Sequence, residues 1–149
     1  MGRFLNPDNG AFSEAVNSEI YIDKTRLLEY TNQVINTTSK FICNSRPRRF
    51  GKSMTADMLS AYYSRGCDST KLFEDTKLAA DADYKKHMNK YNVIHLDVAS
   101  FWDSYKDNIV EKIVEYVYKD FRVVFGDELN YEDSFGYNPV SYTHLTLPT

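Results

Sequence analysis

Hydrophobic positions along this chain follow two rhythms, broken by polar punctuation. Short apolar runs occur at Phe41-Ile42-Cys43, within 40–44, and at Tyr91-Asn92-Val93-Ile94-His95-Leu96-Asp97-Val98. Their length and flanking turn residues predict strands. Elsewhere the spacing is helical. Asp23 or Thr25 is placed to cap a helix through Leu27, Leu28 and Tyr30 to about Val34. A second helix carries Met54, Met58, Leu59 and Tyr62 on one face and ends near Ser64-Arg65-Gly66, with Gly66 as its cap. Shorter helical pieces are predicted around Leu72, Phe73 and Leu78 and over 83–89. A long amphipathic helix opens at Asp103 or Ser104, with Ile109, Ile113, Val117, Phe121 and Val124 on one stripe. Residues up to Asn17 read as an arm or short helix with a turn at Asn6-Pro7-Asp8-Asn9-Gly10, followed by a brief extended piece, Glu19-Ile20-Tyr21-Ile22-Asp23. Strands alternating with helices predict an α/β layer architecture with a mainly parallel sheet.

Between the first strand and the second helix lies Ser45-Arg46-Pro47-Arg48-Arg49-Phe50-Gly51-Lys52-Ser53. Strand, Gly-Lys-Ser turn and helix is the order of a phosphate-binding P-loop, in which backbone N–H groups at a helix N-terminus surround a phosphate. Here those groups come from about Arg49 to Met54. Lys52 is placed to reach the β- and γ-phosphates and Ser53 to ligate Mg²⁺. Gly51 permits close backbone approach. Arg46 stands where the usual G-x-x-x-x-G-K-[ST] pattern has its first Gly, and Pro47 pushes it toward extended geometry. The candidate nucleotide-binding residues are therefore Arg46, Arg48, Arg49, Phe50, Gly51, Lys52, Ser53 and Met54. The competing reading is an Arg-rich solvated turn with a chance Gly-Lys-Ser.

Charge supports an anionic ligand of limited size. The whole chain is acidic, at -3, yet Arg46, Arg48, Arg49 and Lys52 place four cations in seven residues. That suits a nucleotide better than a long nucleic-acid track. Aromatic residues make up 15% of the chain but are dispersed, which favours packing over a base-stacking surface. Two cysteines, Cys43 and Cys67, are too few for a disulfide scaffold or a zinc site. No apolar run is long enough for a membrane span, and the start lacks a signal-peptide core, so a cytoplasmic setting with no membrane partner is expected.

Hydrolysis requires acidic residues besides the loop. Asp97, at the end of the second apolar run, is one candidate for the metal, against the alternative of a strand-end residue bonding locally. His95 reads as a packed strand residue, and Asp127-Glu128 as a solvated turn after a helix.

The last ten residues, Val-Ser-Tyr-Thr-His-Leu-Thr-Leu-Pro-Thr at 140–149, show neither strand nor helix periodicity. They match, residue for residue, a translation of the transposase adapter used in short-read library preparation. Residues 140–149 are therefore expected to be adapter-derived, with the natural chain continuing past Pro139.

Ile20-Tyr21-Ile22-Asp23-Lys24-Thr25 followed by Arg46-Pro47-Arg48-Arg49-Phe50-Gly51-Lys52-Ser53 resembles the paired signatures of the bacterial AAA-ATPase-like family. The resemblance covers nearly all of 1–139, and the Arg-Pro-Arg-Arg-Phe-Gly-Lys-Ser loop is that family's own variant. It implies an AAA-like P-loop NTPase domain, a three-layer α/β sandwich of which 1–139 is the incomplete N-terminal part. It implies ATP and Mg²⁺ as ligands and places Asp23-Lys24-Thr25 beside the nucleotide. The family's Asp-Glu strand is expected beyond Pro139, which leaves this piece alone without ATPase activity. A PD-(D/E)XK nuclease-like domain often follows in the family, which makes nucleic acid a partner of the parent. A small-molecule P-loop kinase and a non-catalytic nucleotide-binding module are the alternatives.

Overall fold

A computed structural model of the chain describes residues 2–126. Helices α1 (Gly10–Val16), α2 (Arg26–Val34), α3 (Lys52–Tyr63) and α4 (Thr70–Phe73) precede a 3-10 turn, Lys77–Ala80, and are followed by α5 (Val98–Ser104) and α6 (Ile109–Phe125).

Apolar faces at helical spacing account for the centre of the molecule. Phe12 of α1, Leu28 of α2, Met58, Ala61 and Tyr62 of α3, Phe73 of α4 and Leu78 of the 3-10 turn form one buried cluster. Large side chains buried in this way each contribute about 1.5–3 kcal/mol. Phe12 stacks on Phe73 at 5.2 Å between ring centroids, and Tyr62 meets Phe73 edge-on at 5.4 Å. Asp23 ties the start of α2 to this layer. Its carboxylate accepts from the Thr25 backbone N–H at 2.8 Å, the Thr25 hydroxyl at 2.7 Å and the Lys77 N–H at 2.7 Å. The cap foreseen for α2 is therefore a turn made by Asp23, since Thr25 makes no side-chain cap. Tyr21 packs edge-on against Phe12, and its hydroxyl is buried with no partner among the described residues. Burial and the Asp23 charge push that phenol up to about 12.

The expected α/β sandwich is not present: among the described residues there is no sheet, only the isolated bridges Leu5 with Ile94 and Ser64 with Tyr91. Residues 40–46 form no regular element and are exposed, with Phe41 86% and Ile42 42% accessible. An apolar run becomes a strand only when neighbours share its ladder and cover its faces, and neither neighbour nor cover is found among the described residues. The 91–95 run divides its backbone bonds between two elements. Tyr91 N–H bonds Tyr63 O at 3.0 Å and Arg65 N–H bonds Tyr91 O at 2.9 Å, while His95 N–H bonds Phe4 O at 2.9 Å and Asn6 N–H bonds Val93 O at 2.8 Å.

Three further boundaries differ from expectation. Residues 83–89 form successive turns, with Tyr84 N–H to Asp81 O and Lys86 N–H to Asp83 O, because no apolar face with helical spacing holds them. The long helix begins at Ile109, since Asp97 caps a separate α5 through Ala99 N–H at 3.1 Å and Tyr105 ends it. Gly66 does not cap α3, whose C-cap is Ser64. A Cβ at Gly66 would stand 2.3 Å from Asn6 O, so glycine serves close approach of the N-terminal arm.

That arm is held by a second, smaller cluster. Phe4 packs on Phe101 and Tyr116, with centroids 5.4 and 6.2 Å away. The Asp120 carboxylate accepts from the Phe4 and Leu5 backbone N–H groups. No residue of α6 is buried; Ile113, Val117 and Phe121 of its stripe are half-buried and Val110, Val114 and Val123 are exposed. Among the described residues no helix is long and apolar enough to cross a membrane.

Candidate functional site

Residues 46–54 occupy an exposed turn and the first turn of α3. Helix α3 starts abruptly because Gly51, its N-cap, is left-handed at φ 71° and ψ 38°. The Gly51 carbonyl accepts from the Thr55 N–H at 3.0 Å and from the Thr55 hydroxyl at 2.9 Å, which fixes the first turn. No side chain caps this end. The N–H groups of the opening turn, at Lys52, Ser53 and Met54, therefore face outward with the positive end of the helix dipole.

The left-handed residues of the loop are Arg49, at φ 67°, and Gly51. Arg46, at the position of the missing first glycine, needs no such conformation, in keeping with the restraint imposed by Pro47. Arg46, Arg48, Arg49, Phe50, Lys52 and Ser53 are exposed, while Met54 is half-buried beside Tyr21 and Met58. Arg46 approaches the Asn44 amide oxygen at 3.4 Å, and among the described residues Arg48, Arg49 and Lys52 meet no carboxylate. The loop thus presents concentrated, uncompensated positive charge to solvent.

From the preceding segment Lys24 hydrogen-bonds the loop: its ammonium donates to Phe50 O at 2.8 Å. Asp23 and Thr25 turn the other way. Burial raises the Asp23 pKa, but hydrogen bonds from Thr25 and Lys77 outweigh it and hold the carboxyl below its usual range. Asp97 caps α5, the local role weighed for it. Among the described residues no cluster of three or more His, Cys, Asp or Glu is placed to hold a metal.

The residue that sequence reasoning missed is Asp57. It lies one turn beyond Ser53 on α3 and faces His95, with Oδ1 3.9 Å from Nδ1. Its signal was a polar residue at i+4 from Ser53 on the same helix face. Burial pushes its carboxyl up, with His95 opposing. A carboxyl whose folded pKa exceeds its unfolded value binds more protons when folded, so its contribution to stability falls as pH rises through the window just above the ordinary carboxylate range. Asp57→Asn is expected to raise thermal stability at neutral pH and to leave it nearly unchanged in acid. Paired melts of the two proteins across pH read this, and parallel curves would contradict it.

No curated protein and no solved structure matches this chain. A family model described as predicted AAA-ATPase matches residues 11–137, a span that contains all but the first residue of α1, the Lys24 segment, the cationic loop and α3. With that span covering most of its length, the chain belongs to the AAA-ATPase-like family and carries an ATPase-like domain.

Proposed function

We propose that residues 46–54 bind ATP with Mg²⁺. The observation that carries this reading is the uncapped N-terminus of α3 directly behind a left-handed Gly51, within a cluster of cations that no carboxylate among the described residues neutralises. Outward N–H groups and a helix dipole favour a phosphate, and family membership supports a nucleotide as its source. Lys52 contacts the β- and γ-phosphates, and Arg48 and Arg49 supply auxiliary charge. Arg46 lengthens that basic margin. Ser53 is the metal-ligating hydroxyl, and the bound Mg²⁺ would neutralise phosphate charge. Phe50, Gly51 and Met54 contribute backbone.

Lys52→Ala is expected to weaken ATP affinity about 10- to 100-fold, the size of a lost charge-assisted contact. Lys52 is exposed, so folding should be untouched. Calorimetric titration with Mg²⁺-ATP, alongside matched melting curves, makes the comparison. Equal affinity in the two proteins would sink the assignment.

A further inference from the structure

We propose that Lys24 is a positioning residue for the phosphate loop: its ammonium pins the peptide between Phe50 and Gly51 in one orientation and presets the left-handed Gly51 before a nucleotide arrives. This rests on the ATP reading above and adds to it how the loop is kept in shape.

The loop has one firm side and one weak side. Downstream, the Gly51 carbonyl is held twice by Thr55. Upstream, Arg49 is left-handed and exposed, and Phe50 is 59% accessible, so its ring does not anchor the turn. A peptide joining these residues is prone to flip, because glycine accepts either sign of φ. Lys24 acts at that peptide. The carbonyl of Phe50 points at its ammonium, 2.8 Å away. In a trans peptide the N–H points opposite to the carbonyl, so the Gly51 N–H is directed away from Lys24. Flipping the peptide would exchange an acceptor for a second donor against the ammonium.

Lys24 is itself fixed from both sides. Asp23 is bound to Thr25 and to the Lys77 N–H, and the buried Thr25 hydroxyl accepts from the Leu78 N–H at 3.1 Å. The lysine stem borders the same small apolar recess as Tyr21, Met54 and Met58. A Cβ on Gly51 would stand 2.5 Å from Lys24 Nζ. Glycine at 51 thus serves its backbone conformation and also leaves room for the lysine.

The test uses the 149-residue chain and Lys24→Met, Lys24→Gln and Lys24→Arg. Binding of a fluorescent ATP analogue with Mg²⁺ is followed by stopped flow, and amide exchange of 50–55 is followed without nucleotide. If the competent fraction of the loop falls to about a tenth in the Met variant, apparent affinity weakens about tenfold. The loss should appear in association, with dissociation unchanged, and exchange should quicken at 50–55 alone. Gln, a neutral donor, should restore much of both. If Gln behaves like Met while Arg behaves like Lys, the role is charge on the phosphate and positioning is overturned. Equal kinetics and exchange in the Met variant also overturn it. Should the unsubstituted chain show no Lys52-dependent binding, the ATP reading fails, and the exchange measurement still decides for or against the pin.

Discussion

Asn89→Ala is expected to cost about 3 kcal/mol of folding stability. Asn89 sits where three segments converge. Its side-chain amide donates to Ala61 O at 3.1 Å and Ser64 O at 2.7 Å, carbonyls at the end of α3, and its oxygen accepts from the Ser69 N–H at 3.0 Å. Its own N–H bonds Tyr62 O at 2.7 Å. Each lost side-chain bond costs about 0.5–1.5 kcal/mol net, and more where the partner stays buried. The residue is also left-handed, at φ 54°, a conformation that costs alanine about 1–2 kcal/mol and glycine nothing comparable. Asn89→Gly should therefore be less harmful than Asn89→Ala by about 1 kcal/mol. Urea unfolding of both variants separates the two contributions. Near wild-type stability in the Gly variant would show that the side-chain bonds carry little weight.

Tyr62→Ala should be costlier still, at about 3–5 kcal/mol, the range for deleting a large buried aromatic ring. Tyr62 is fully buried in the central cluster, meets Tyr63 edge-on at 4.8 Å and meets Phe73 at 5.4 Å. Its hydroxyl donates to Tyr84 O at 2.6 Å and accepts from the Asn32 amide at 2.8 Å. Tyr62→Phe keeps the ring and strands those two groups, so it should lose about 1–2 kcal/mol. Chemical denaturation gives both numbers, and a Phe variant as unstable as the Ala variant would assign the stability to the hydroxyl alone. Asn89 and Tyr62 share a backbone bond, so the double variant should depart from additivity.

Elements with a long helical period were legible from sequence. Helix α2 ends at Val34 as its spacing predicts, and α3 carries Met58 and Tyr62 into the core. The turn into α3 was legible because its signals are local: glycine, lysine and serine in succession at the mouth of a helix. The sheet was misjudged for a matching reason. Phe41-Ile42-Cys43 and the run at 91–98 have strand composition, but a ladder depends on partners distant in sequence, and composition does not name them. Asp57 and the Lys24 contact with Phe50 were hidden likewise, since each joins residues that only tertiary packing brings together. Asp97 was offered two roles by the sequence, and the structure shows the local one, the cap of α5.

The bonds from Phe4 and Leu5 to Asp120 have a kinetic consequence. They span 116 and 115 positions of chain. Closing so long a loop carries an entropy cost that nothing local offsets, and contacts of such separation slow folding. Phe4 and Leu5 precede the described helices, yet their bonds to Asp120 cannot form until α6 exists. It should be the late step of folding, docking onto a core assembled without it, and the region around α6 should be the first to open when the molecule breathes.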